Sequence, residues 1–170
     1  YGDAIMRDLV PEIERRFRGI GQGWARFIYG GSTGGWEAMA VQMFYPDEFN
    51  GAWVAFPDPI DFHDFQGIDL YDPLPDGTSR NMYVDEHGVK RPLARRNGQV
   101  LVTYEDFVRR EDVLNPGGQI RSFEATFSPR AADGSPRRVF DVATGAIDHA
   151  AVQAWRPYDI SERLLTNWPT

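Results

Sequence analysis

Near the start of the chain, apolar residues recur every four positions at Ile5, Leu9, Ile13 and Phe17, with Arg7, Asp8, Glu12, Glu14 and Arg15 on the other faces. That spacing predicts a helix over residues 3–18, with Asp3 at its N-cap. Pro11 falls inside it, where it either kinks the helix or restarts it at a first-turn position. Gly19, Gly21 and Gly23 close it. The apolar run Arg26–Tyr29 predicts a buried strand, and Gly30–Gly35 leaves room only for a tight turn. Trp36–Tyr45 is rich in helix formers and apolar on most sides, so it predicts a buried helix stopped by Pro46. Gly51–Phe56 predicts a second buried strand, closed by Pro57-Asp58-Pro59. Strand, turn, helix, loop and strand in that order make a βαβ unit, which implies a parallel pair with a right-handed crossover.

From residue 57 to about 118 the pattern dissolves. Pro73, Pro75, Gly77, Gly88, Gly98, Pro116 and Gly117 punctuate it. Within and beyond this stretch, Val100–Thr103 predicts a brief strand and Tyr104–Val113 a helix. Phe123, Ala125 and Phe127 alternate with polar positions, so Ser122–Ser128 predicts a half-buried strand. Ala132-Asp133-Gly134 is turn chemistry, and Val139–Val142 is expected to return as the second strand of a hairpin. Asp148–Trp155 and Ile160–Leu165 predict short helices. The expected fold is α/β, with one partial domain over 1–170. It divides into a sheet core at 1–56, a loop-rich, cap-like insertion at 57–118, and a hairpin with helices at 119–170.

Composition narrows the function. The chain has 170 residues, 42% of them hydrophobic and 14% aromatic, enough for one domain with a real core. A net charge of −7 excludes the basic footprint of a general nucleic-acid binder. With no cysteine there is no disulfide frame, thiolate zinc site or cysteine nucleophile. No apolar run reaches the length of a membrane span. The chain opens at Tyr1 and stops at Asn167-Trp168-Pro169-Thr170, with no readable targeting segment. That suggests a piece of a longer protein.

Gly30-Gly31-Ser32-Thr33-Gly34 carries the chemistry. It fits the G-x-S-x-G nucleophile elbow, in which a serine sits on a sharp strand-to-helix turn with small residues two before and two after. The hydroxyl of Ser32 is expected to stand above the end of the sheet. The Thr33 amide, at the helix start, can stabilise an oxyanion. The alternatives are a plain glycine turn with Ser32 as N-cap, or phosphate binding at the helix start. Neither the dinucleotide fingerprint nor a P-loop fits.

Phe27–Glu37 around the elbow, followed by Tyr45–Gly51, resembles serine esterases of the α/β-hydrolase fold, the esterase D-like group. Asp141–Asp148 and Trp155–Ile160 resemble a branch of the same group. The resemblance implies an acyl-serine mechanism on a small-molecule ester, with Ser32 as nucleophile, a histidine as its base and an acid orienting the histidine. It implies no cofactor. It also implies earlier and later strands that this chain lacks, so the pattern looks cut at both ends. The isolated piece is then expected to be inactive, and to be an oligomer or paired with other segments of its parent. The rival reading is a non-catalytic fragment or binding module that keeps the elbow as scaffold.

An internal triad is formally available. Asp58 follows the second strand, and His63, His87 and His149 come later. Asp58 and His149 are the internal partners this order allows, although His149 stands at an expected helix start and His87 in a polar turn. Asp58, Asp61, His63, Asp64, Asp69 and Asp72 crowd one stretch and could hold a cation. An acidic surface loop is the preferred reading, so no metal is expected.

Overall fold

The computed structural model describes residues 1–114 and 118–167, and Asn167 by its backbone alone. The turn signals Pro116 and Gly117 and the terminal Trp168-Pro169-Thr170 lie outside the described residues. The fold is mixed α/β and forms two compact units, Tyr1–Ile60 with Leu164–Thr170, and Asp61–Arg163. The boundary falls near the expected end of the sheet core. The insertion and the C-terminal part, expected as separate segments, share the second unit. No helix among the described residues is long and apolar enough to cross a membrane.

In the first unit the N-terminal helix runs through Gly2–Ala4, Ile5–Leu9 and Val10–Phe17 without a break. Ile5–Leu9 takes the wider i→i+5 winding. Pro11 lies just beyond it, in the first turn of Val10–Phe17. A proline ring clashes with the carbonyl four residues back, and the wide turn makes that room. Arg18, at φ 57°, ends the helix, and the Gly19 amide donates to the Glu14 carbonyl at 2.9 Å. Glu14 then takes both Nε and Nη2 of Arg26, at 2.7 and 3.0 Å, fastening the helix end to the chain entering the sheet. This pairing holds the Glu14 carboxyl below its ordinary range.

Strand β1 (Phe27–Ser32) pairs in parallel with β2 (Gly51–Pro57), from Phe27 opposite Gly51 to Gly31 opposite Ala55. The register then slips, so that Ser32 faces Pro57. Helix Thr33–Phe44 connects them and buries Trp36, Ala38, Ala40 and Val41. It covers one face of the pair. The other face carries Phe27, Tyr29 and Trp53, exposed by 53%, 72% and 61%. The strands expected to be buried are therefore half open. Their side chains alternate, and only one set meets the helix.

The second unit is held by an aromatic core. Trp155, wholly buried, lies 5.4–5.7 Å from the rings of Phe127, Phe62 and Phe65. Its indole N–H donates to Ser128 Oγ at 2.8 Å. Beside it the buried Asp159 accepts from the Phe62 amide and the Tyr71 hydroxyl through one oxygen, and from Ser161 through the other. Burial next to this carboxylate raises the pKa of the Tyr71 phenol. Strands β3 (Pro92–Arg96) and β4 (Gln99–Thr103) form an antiparallel hairpin. Asn97 and Gly98 take positive φ at its turn, as a two-residue hairpin loop needs.

Further sequence expectations are corrected here. Asp3 does not cap the first helix: it lies inside the first turn, after Tyr1 at the N-cap, and its carboxylate accepts from the Tyr45 hydroxyl at 2.9 Å. Residues 119–127 form a helix, Gln119–Phe127, and not a strand. Ile120, Glu124 and Phe127 fall on one face at spacings of four and three, and all three are buried. Phe123 and Phe127, four residues apart, lie on neighbouring turns of the same side, while Ala125 between them is exposed. Val139–Val142 therefore has no strand to return to. Its segment bridges instead at Phe140 to Ile147, while the turn at 132–134 closes a bridge between Arg130 and Pro136.

Candidate functional site

The elbow stands where β1 meets its helix. Ser32 has φ 55° and ψ −125°, a conformation that L-residues rarely adopt. Its side chain makes no capping bond to the helix it precedes, and the residue is exposed. The hydroxyl thus stands at the C-terminal end of the strand, facing solvent, beside the first amides of the helix. Those amides have no partner within the helix, so the Thr33 N–H is placed to meet an anion.

The glycines explain how the turn closes. A Cβ built on Gly30 would lie 1.8 Å from the Gly34 carbonyl oxygen, which no relaxation of a side chain could relieve. One on Gly35 would meet the Ala55 oxygen at 3.0 Å and Pro57 Cα at 3.1 Å. One on Gly34 would meet nothing within 4 Å. The small residue two before the serine is therefore obligatory. After it, close packing of helix on strand falls on the third residue, not the second.

Asp58 reaches the elbow from the end of β2. The Ser32 hydroxyl donates to its Oδ1 at 3.2 Å and the Thr33 hydroxyl to its Oδ2 at 2.5 Å. The structure thus brings together Ser32, Thr33 and Asp58. Among the described residues no imidazole stands between acid and nucleophile, and both carboxylate oxygens are taken by hydroxyls. All three histidines belong to the second unit. His149 is engaged there, with Nδ1 2.9 Å from the Leu70 carbonyl and Nε2 3.0 Å from Ser79 Oγ. His87 is an exposed turn residue whose amide donates to Asp85.

Of the acidic stretch, His63, Asp69 and Asp72 offer ligand atoms all within 4.8 Å of one another. Asp58, Asp61 and Asp64 are not in that group. His63 Nδ1 sits 3.2 Å from Asp69 Oδ2, and Asp69 Oδ1 accepts from the amides of Tyr71 and Asp72. Burial alone would lower the His63 pKa. The Asp69 carboxylate, with Asp61 and Asp72 beyond it, outweighs burial and raises it. These bonds account for the cluster as an internal fastening of the loop.

Sequence reasoning missed the contact between Ser79 and His149. The two lie 70 residues apart, and no local spacing announces them. No known protein family, curated protein or solved structure matches this chain.

Proposed function

We propose that this chain carries the nucleophile of an esterase-like serine hydrolase of the α/β-hydrolase type, acting on a carboxylic ester through an acyl-Ser32 intermediate. The observation that carries this reading is the backbone of Ser32. A non-glycine residue held at φ 55°, ψ −125° between strand and helix, with its hydroxyl exposed, is strain kept for presentation of that hydroxyl. The Thr33 amide is the oxyanion donor that the turn supplies. Asp58 positions the hydroxyls of Ser32 and Thr33. A carboxylate bonded directly to serine is a poor general base at neutral pH, and among the described residues no imidazole is hydrogen-bonded to Ser32. The chain by itself is accordingly expected to show no Ser32-dependent ester turnover. A scaffold that merely retains the turn would not need the strained serine, because glycine adopts this backbone freely.

A boronic acid tests the reading without needing a base, because it forms a tetrahedral adduct with a presented serine hydroxyl. Crystals soaked in phenylboronic acid are expected to show boron bonded to Ser32 Oγ, with a boronate oxygen in hydrogen-bond reach of the Thr33 amide. An unmodified Ser32, or an adduct whose oxygens all face away from the helix start, would overturn the proposal.

A further inference from the structure

A second serine in the molecule has what Ser32 lacks. Ser79 Oγ lies 3.0 Å from His149 Nε2, and His149 Nδ1 lies 2.9 Å from the carbonyl oxygen of Leu70. A carbonyl only accepts, so Nδ1 carries the proton, and the lone pair of a neutral imidazole sits on Nε2, facing the serine. This is the arrangement of nucleophile, base and orienter that activates a hydroxyl, with a backbone carbonyl in the place of the usual acid.

The pair is held by backbone pairing and not by surface chance. Residues 80–82 and 145–147 lie side by side. The Met82 amide donates to the Gly145 carbonyl at 2.8 Å, the Ile147 amide to the Arg80 carbonyl at 3.2 Å, and Asn81 bridges Ala146. Ser79 and His149 flank this pairing. Gly145 has φ 79°, and a Cβ there would lie 2.4 Å from Asn81 Oδ1, so the close approach depends on glycine.

Ser79 has one hydroxyl proton and two acceptors in reach. Its hydroxyl donates to the Ile147 carbonyl at 2.8 Å, and His149 Nε2 stands 3.0 Å from the same hydroxyl oxygen. Attack therefore requires the proton to turn from Ile147 to Nε2, a rotation about the Cβ–Oγ bond.

Ser79 is exposed and lines a cavity of about 450 Å³, with Ile68, Leu74 and Asn81 among its other walls. Arg80 and Arg91 line it too. Arg80 Nε donates to the Asp72 carbonyl at 2.9 Å, and Arg91 donates to the carbonyls of Met82 and Gln66. Neither makes an ion pair with a carboxylate among the described residues, but Asp85 and Glu86 share the lining and the Arg91 guanidinium lies 4.5 Å from the Tyr104 ring centroid, so the cavity carries charges of both signs.

We infer that Ser79 and His149 form a nucleophile–base pair that opens small carboxylic esters bound in this cavity, separately from the elbow. The bond from Ser79 Oγ to the acyl carbon forms as the serine proton passes to His149 Nε2. The ester C–O bond then breaks, and the alcohol leaves with that proton. Water, giving a proton to Nε2, cleaves the acyl–serine bond, releases the acid and restores the hydroxyl.

A fluorophosphonate probe tests this on the full chain. Serine attack forms a P–O bond, expels fluoride and leaves its proton on the base. Trypsin would leave Ser32 and Ser79 on one peptide, since no lysine or arginine lies between Phe27 and Ser79. Digestion at aromatic residues separates them, so each serine is scored on its own. Ser79 is expected to be modified. His149→Asn keeps a donor for the Leu70 carbonyl and removes Nε2. It is expected to slow modification of Ser79 about a hundredfold or more, and added imidazole is expected to restore it. An unmodified Ser79, or equal labelling in wild type and His149→Asn, would overturn the inference, whatever is found at Ser32.

Discussion

Ser32 and Asp58 are joined twice across the ends of two paired strands. The Ser32 hydroxyl donates to Asp58 Oδ1 at 3.2 Å, and the Asp58 amide donates back to the Ser32 carbonyl at 3.2 Å. The double tie pins the strained serine to the neighbouring strand exactly where the register slips. The surrounding structure, not the serine itself, therefore sets its backbone.

It follows that relieving the strain should stabilise the protein. Ser32→Gly loses one exposed hydroxyl bond but removes a backbone cost of about 1–3 kcal/mol. The urea midpoint of Ser32→Gly is expected to rise above that of Ser32→Ala, which keeps the strain. A midpoint for glycine at or below that of alanine would mean that the turn is unstrained.

The two glycines flanking Ser32 should answer differently to the same change. Gly30→Ala drives a methyl into the Gly34 carbonyl and should cost more than about 3 kcal/mol, or prevent folding. Gly34→Ala meets open space and lies in a helix, so it should be neutral or stabilising by up to about 1 kcal/mol. Thermal denaturation of the two variants checks the contrast, and equal losses would count against the described turn.

His63 should make stability depend on pH. Its folded pKa is raised through Asp69, so the imidazolium stabilises the fold. That contribution is fully present below the unfolded value of about 6.5 and is lost as pH rises through the folded value. Urea unfolding at pH 5.5 and at pH 8.5 reads it. His63→Gln is expected to shrink the fall in stability between the two, and an unchanged fall would show that the pair contributes nothing.

The elbow was legible because its determinants are contiguous. An apolar run, small residues and an apolar helix within twenty positions leave the backbone one way to turn. Asp58 could be suspected from its place after the second strand. The exposure of Phe27, Tyr29 and Trp53 could not, because burial of a strand face depends on what packs on it, and a residue carries no record of its partner. Residues 119–127 misled because Phe123, Ala125 and Phe127 satisfy a period of two, while the residues that decide the matter, Ile120 and Glu124, satisfy only the helical period. The β3–β4 hairpin carries a local signal, Asn97-Gly98, the pair that a two-residue loop with positive φ at both positions favours. Ser79 with His149 lay beyond local reading, since pairing of residues 80–82 with 145–147 is what brings them together.

The central claim, that the turn makes Ser32 a nucleophile, has an internal control. Ser135 is also exposed, and its hydroxyl also donates to a carboxylate, Asp133 Oδ1 at 2.6 Å, but in an ordinary turn without an elbow. Labelling rates at both serines can be read from one time course with a fluorophosphonate. If the elbow and the Thr33 amide favour the transition state, Ser32 should react at least about tenfold faster than Ser135. Equal rates at the two serines would contradict the account.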